Sequence, residues 1–286
     1  MDTQHQFRTV KDRGVAQEVI DGPGLTIQRT IPLPGLPAIG PFILLDHFGP
    51  VELPVGASFP PNPHPHAGME TLTYLLDGSA DHRDSAGHRG TIFAGEAQWM
   101  RAGRGIIHDE APGPTLRADG GVMQVLQLWI NLPKGRKHTE PAFAAYARDR
   151  IPELALGDGT VRVIAGEVEG ARGPVTTFAD PFAVHLRLPA GGTATLPVPP
   201  GIELGVYVAG GVVRIGGGHR LDTHEHALLD TGNAVTLAAD SPADLLVLGG
   251  PPLDAPLVRQ GPFVMNSRDE IDAAFADFHA GHMGTL

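Results

Sequence analysis

Thirty-eight glycines and 27 prolines are spread through 286 residues, so few stretches exceed a dozen residues without one. In a helix interior each glycine costs about 1 kcal/mol relative to alanine, and each proline about 3 kcal/mol. That density excludes a helix bundle and favours short strands joined by tight turns. The segments between the breakers agree. Residues 42–45 form a continuous apolar run, and 69–76 are rich in β-formers and end at an Asp77-Gly78 turn. Similar strand-and-turn units are predicted at 90–95, 97–103, 105–110 and 122–133. After residue 150 they resume at 161–166, 182–189, 201–217, 234–239 and 243–250. Alternation at Val15, Val19, Leu25 and Ile27 predicts edge strands within residues 1–30.

The second series repeats the strand lengths and glycine turns of the first. This predicts an all-β chain of two β-barrels of one architecture. The N-terminal barrel is placed at 1–135; a linker, a second barrel and a C-terminal helix are placed within 136–286. The linker is read at 134–150, a polar stretch without alternation. The helix is predicted at about 267–280, where Ser267 and Glu270 form a capping-box pattern ahead of Ile271, Ala274, Phe275 and Phe278.

Hydrophobic residues at 42% and charged residues at 19% allow a sizeable core and argue against disorder. Thirty-two acidic residues against 21 basic ones give a formal net charge of -11, and no basic run is present. Direct nucleic-acid binding and an anionic membrane partner are therefore not expected. Nor is a secretory leader or a transmembrane helix expected, since the first residues lack an apolar region and no apolar run approaches about 18 residues. Cysteine is absent, which excludes disulfides, thiolate metal sites and a cysteine nucleophile. A reducing, cytoplasmic location suits such a chain.

The chemistry is concentrated in histidine. His64 and His66 are two residues apart, which on a strand places both imidazoles on one face. His108 and Glu110 repeat that spacing. Two such pairs on neighbouring strands, facing a barrel interior, would set three nitrogens and one carboxylate around one point. This donor set suits one divalent transition metal: iron first, then manganese, nickel, copper or zinc. Glu70 continues the parity of His64 and His66, which predicts an inward carboxylate beside a ligand or acting as an acid or base. His82, Arg83, Asp84 and Ser85 read as an exposed polar loop. On the strand that follows, Trp99 has parity opposite to Gln98 and Met100. Asp46 and His47 read as structural residues at a strand end. A second His-x-His, His224 and His226, has no matching partner pair and reads as a surface loop, so the C-terminal barrel is predicted to be metal-free.

PHPHAGMETLTYLLDG, HRDSAGHRGTIFAGEAQWMRAGRGIIHDE, LLDHFG, LQLWINLP and GPFVMNSRDEI together resemble the pirin family over nearly the whole chain. The resemblance implies a bicupin of two antiparallel barrels packed together, with one metal, usually iron, in the N-terminal barrel. The family's pattern of three histidines and one glutamate falls on His64, His66, His108 and Glu110. Some pirin-like proteins oxidise quercetin, opening its heterocyclic ring with loss of carbon monoxide. By analogy a small phenolic or flavonol substrate and O2 are expected here, with Glu110 as first choice for the base and Glu70 as second. Animal pirins act as nuclear co-regulators whose iron oxidation state alters a protein surface. The alternative is therefore a non-catalytic iron-dependent redox sensor with a protein partner.

Overall fold

A computed structural model of the chain describes residues 5–22, 24–253 and 255–286. Its contacts fall into two compact units, each stitched from segments far apart in sequence. One combines residues 18–31, 43–148 and 255–286; the other combines 5–17, 32–42 and 149–253. A single division at 135/136 is therefore not how the chain partitions. The first strand, Val10–Val15, pairs with Glu225–Leu229 in the second unit, and the C-terminal helix belongs to the first. The first joins residues more than 200 positions apart and the second residues more than 100 apart, and no local pattern announces them.

Each unit repeats one plan: a seven-stranded sheet and a four-stranded sheet, antiparallel throughout their paired strands. In the first unit the large sheet runs Ala142–Tyr146, Ala97–Arg101, Met69–Asp77, Gly121–Asn131, Phe42–Leu53, Leu25–Ile31 and Gln17–Asp21. Its small sheet runs His64–His66, Ile106–Pro112, Ser79–Asp84 and Arg89–Phe93. In the second unit the small sheet runs Thr193–Pro197, Ala234–Ala239, Val213–Ile215 and His219–Leu221. The strands expected from the sequence are found, most within a few residues at their ends, but the one expected at 42–45 runs on as Phe42–Leu53 and the stretch 201–217 is two strands, Glu203–Gly210 and Val213–Ile215.

The residues read as a linker are ordered differently. Lys134–Arg136 forms a short 3-10 turn, and Ala142–Tyr146 is an edge strand paired with Ala97–Arg101. The helix spans Arg268–His279. Ser267 Oγ accepts from the Glu270 amide, while the Glu270 carboxylate accepts from the Asn266 amide, one residue earlier than in the standard box. A second helix, Pro114–Asp119, opens on proline and closes at Gly120, which is the ordinary placement of those two residues. Among the described residues no helix is long and apolar enough to cross a membrane.

The interiors differ. The second unit is filled by aliphatic side chains such as Val163, Val184, Leu186, Val206, Leu237 and Val247. The first buries Thr71, Thr73, Gln98, His82, Asp84 and His108. Buried polar groups are costly unless partnered, so a barrel lined this way has been kept for something other than stability.

Candidate metal centre

The inner face of the small sheet carries the site. His64 pairs opposite His108 and His108 opposite Asp84, while Glu110 pairs opposite His82. Cross-strand partners share a face, so all of these side chains project to the same side. His64, His66 and His108 converge until their ring centroids are 4.4–4.9 Å apart, with candidate ligand atoms all within 4.8 Å.

Two backbone carbonyls orient the rings. His64 Nδ1 meets Asn62 O at 2.8 Å, and His66 Nδ1 meets Pro262 O at 3.2 Å. A carbonyl accepts only, so each Nδ1 carries the proton and each Nε2 presents a lone pair. His64 Nε2 lies 2.9 Å from His108 Nε2, close enough for both nitrogens to serve one ion. Burial, followed by the neighbouring His64, pushes His66 down to about 3, and burial and the other rings push His108 well below its ordinary value. Both rings are therefore neutral at ordinary pH, the form that binds metal. The residues present fit one metal ion.

Glu110 stands beside this trio. Its carboxylate groups with His82 and His108 and accepts from Gln98 Nε2, while Thr73 Oγ1, 3.3 Å from it, gives its one proton to Gln127 Oε1 at 2.6 Å. The expected four donors thus divide into three that meet at one point and a carboxylate reached through His108. Glu70 lies elsewhere. It pairs opposite Arg101 and Ile130, on the face away from Thr71 and Thr73. The alternation running through His64 and His66 is broken at Gly68, where φ is 74° and the chain passes from the small sheet to the large one. Alternation does not carry through such a bend.

His82 and Asp84, read as exposed loop, are buried on the strand Ser79–Asp84. His82 Nε2 meets Asp84 Oδ2 at 3.2 Å, His88 Nδ1 meets the same oxygen at 2.9 Å, and Phe143 stacks on His82 at 4.4 Å. Burial opposes ionisation of Asp84, but hydrogen bonds from His82 and His88 hold its carboxyl below the usual value. The signal available was His-x-Asp, the same two-residue spacing that marked the ligands. Gln98 faces the site and Trp99 the other side, as their parity requires. Asp46 is clamped by Arg29, with contacts of 2.8 and 2.6 Å. His226 is buried beside Gly14 and His224 is half-buried with φ 68°, so neither is simply a surface loop residue.

A cavity of about 530 Å³ opens on His64 and His66, walled also by Glu110, Gln127 and Trp129. An adjoining pocket of about 170 Å³ is lined by Ile27, Phe48, Phe59, Met123 and Val125, with Glu110 and Gln127 shared between the two.

Two cupin units, one with a histidine-rich pocket that fits a single metal ion, define a bicupin of the metal-binding kind. Residues 24–130 match the pirin family and residues 183–284 match the pirin C-terminal cupin domain. The chain belongs to the pirin family. A pirin-like protein of Solanum lycopersicum is 36% identical over 281 residues, covering 97% of this chain and 93% of that protein. Human pirin is 36% identical over 276 residues, covering 94% and 92%. A crystal structure of quercetin 2,3-dioxygenase from Acinetobacter baumannii has a TM-score of 0.92 at 35% identity, covering 98% of this chain and 99% of that one.

Proposed function

We propose that the chain is a cytoplasmic, metal-dependent dioxygenase that opens quercetin or a related flavonol or phenolic with O2. The observation that carries the reading is the convergence of three imidazoles, two of them, His64 and His66, on the wall of a cavity large enough for an aromatic ligand. His64, His66 and His108 would hold the metal, iron by preference for this nitrogen-and-carboxylate set, and Glu110 would complete it. Bound there, the metal supplies a Lewis-acid site for a phenolic oxygen and for dioxygen.

The remaining work belongs to side chains. Glu110 is exposed to both the cavity and the apolar pocket, where its carboxylate can accept a phenolic proton. Gln98 fixes its orientation by donating to it. Phe48, Phe59 and Met123 exclude water from the side on which an aromatic ring would rest. The similarity to a quercetin 2,3-dioxygenase structure supports the substrate class.

Oxygen uptake by the iron-loaded protein with quercetin tests this, beside His66→Ala. Turnover in the parent and none in the variant, with the variant still folded but metal-poor, is the expected result. A fully iron-loaded parent that consumes no oxygen with quercetin or simpler phenols would refute the enzyme reading and leave the redox regulator.

A further inference from the structure

The metal cavity contains a cation that the metal centre does not use. Arg259 stands on the hairpin strand Val258–Gln260, and its guanidinium lies 4.5 Å over the Trp129 ring. It donates to Ile43 O at 3.4 Å. Among the described residues it forms no ion pair. Asp46, the nearest buried acid, is committed to Arg29 by two hydrogen bonds, and Asp46 and Asp21 act on Arg259 only at longer range. A guanidinium offers five N–H donors in a planar fork and stays charged in proteins. Most of those donors are uncommitted here.

The placement is informative as well as the vacancy of the fork. Trp129 packs edge-on against His66 with ring centroids 4.9 Å apart, so Arg259 and a metal-centre imidazole flank the same indole. The hairpin that carries Arg259 also supplies the Pro262 carbonyl that orients His66. One short segment therefore sets both the metal-side imidazole and the cation. A cation partly removed from water without a counter-ion forfeits solvation and gains little in return; a bound anion restores the balance.

We propose that Arg259 is an anion-binding subsite of the metal cavity, and that the ligand class is a phenolic carboxylate, with its phenolic oxygen at the histidine trio and its carboxylate in the Arg259 fork. Arginine suits this because its fork matches a carboxylate bidentately. The proposal rests on the metal cavity being the ligand site, and adds to the phenolics it accepts a preference for those carrying an acid at the far end.

Calorimetric titration of the zinc-loaded protein keeps the test free of oxidation. The probes are 6-hydroxy-2-naphthoate and its neutral amide. The parent protein is expected to bind the carboxylate about tenfold or more tighter than the amide, the scale of one charge-assisted hydrogen bond. Arg259→Gln is expected to erase that preference while leaving amide affinity and zinc content unchanged. Arg259→Lys keeps the charge without the fork and is expected to retain a reduced preference. It decides the matter if the glutamine variant proves unstable. Equal binding of the two probes by the parent, or an undiminished preference in either variant, would overturn the subsite. A protein that fails to oxidise quercetin but shows the Arg259-dependent preference would refute the dioxygenase reading and leave this one standing.

Discussion

Gly68 links the histidine strand to the large sheet, and its replacement by alanine is predicted to disable the metal site from outside it. With φ at 74°, the backbone adopts a conformation that costs an ordinary residue about 1–2 kcal/mol. Space is the greater problem: a Cβ there would lie 1.9 Å from Val264 O, against ordinary contacts of 3.4–4 Å. Relief requires the two backbones to separate by well over 1 Å. That movement strains the Val264 amide hydrogen bond to Ala67 O at 3.0 Å, and Lys137, whose buried ammonium donates to both Gly68 O and Val264 O. Together with the backbone term the cost is about 3–5 kcal/mol, at the upper end for single substitutions. His66 is two residues away and is oriented by Pro262, two residues before Val264. Gly87→Ala is the control, since φ there is 90° but nothing lies within 4 Å of the added carbon. Thermal unfolding and metal equivalents per chain are the assays. Gly68→Ala should lower Tm by about 10 °C or more and bind metal weakly, whereas Gly87→Ala should lose only a few degrees and keep its metal. Equal, small effects at both positions would show that the close approach between residues 68 and 264 is not what holds the histidine strand in place.

Three further outcomes are expected. Because His66 has a native value of about 3 against about 6.5 when unfolded, the native state binds fewer protons in that interval. The metal-free protein should therefore be at full stability above pH 6.5 and lose up to about 1.4 kcal/mol per pH unit on acidification from this ring, with His108 adding in the same direction; urea midpoints at pH 7, 6 and 5 read the slope, and His66→Gln should flatten it. Glu110→Gln keeps an oxygen that can accept from Gln98 but removes the carboxylate charge and basicity, and should weaken metal binding and abolish quercetin-dependent oxygen uptake, so that unchanged turnover would place the proton acceptor elsewhere. Ser267→Ala deletes the cap that accepts from Glu270 and should cost about 1 kcal/mol in urea unfolding, without effect on metal content.

The strands and the C-terminal helix were legible because each is a local matter: apolar residues between breakers, or a cap ahead of an amphipathic run. The His64–His66 pair was legible for the same reason, since two-residue spacing on a strand is geometry and nothing else. Glu70 was not, because the alternation ends at Gly68 and a sequence does not show whether a glycine interrupts a strand. His82 and Asp84 were obscured by an inverted pattern. In a barrel whose interior is polar, the buried face of a strand looks like a solvated one. Phe143 and its strand resembled a linker because edge strands are short and its neighbours are alanines. The exchange of terminal segments between units had no local signature, being fixed by the complementarity of partners more than 100 residues apart.

That exchange bears on how the protein is made. During synthesis the ribosome delivers His64, His66 and His108 long before it delivers Pro262 and Val264. Until residues 262–264 emerge, the His66 ring lacks the carbonyl that sets its tautomer, and Gly68 lacks the strand against which it bends. The nascent N-terminal barrel is thus an unfinished receptacle, and tight metal uptake must follow the docking of residues 262–264. A chain cut short by a late stop codon would carry every ligand and still be unable to mature.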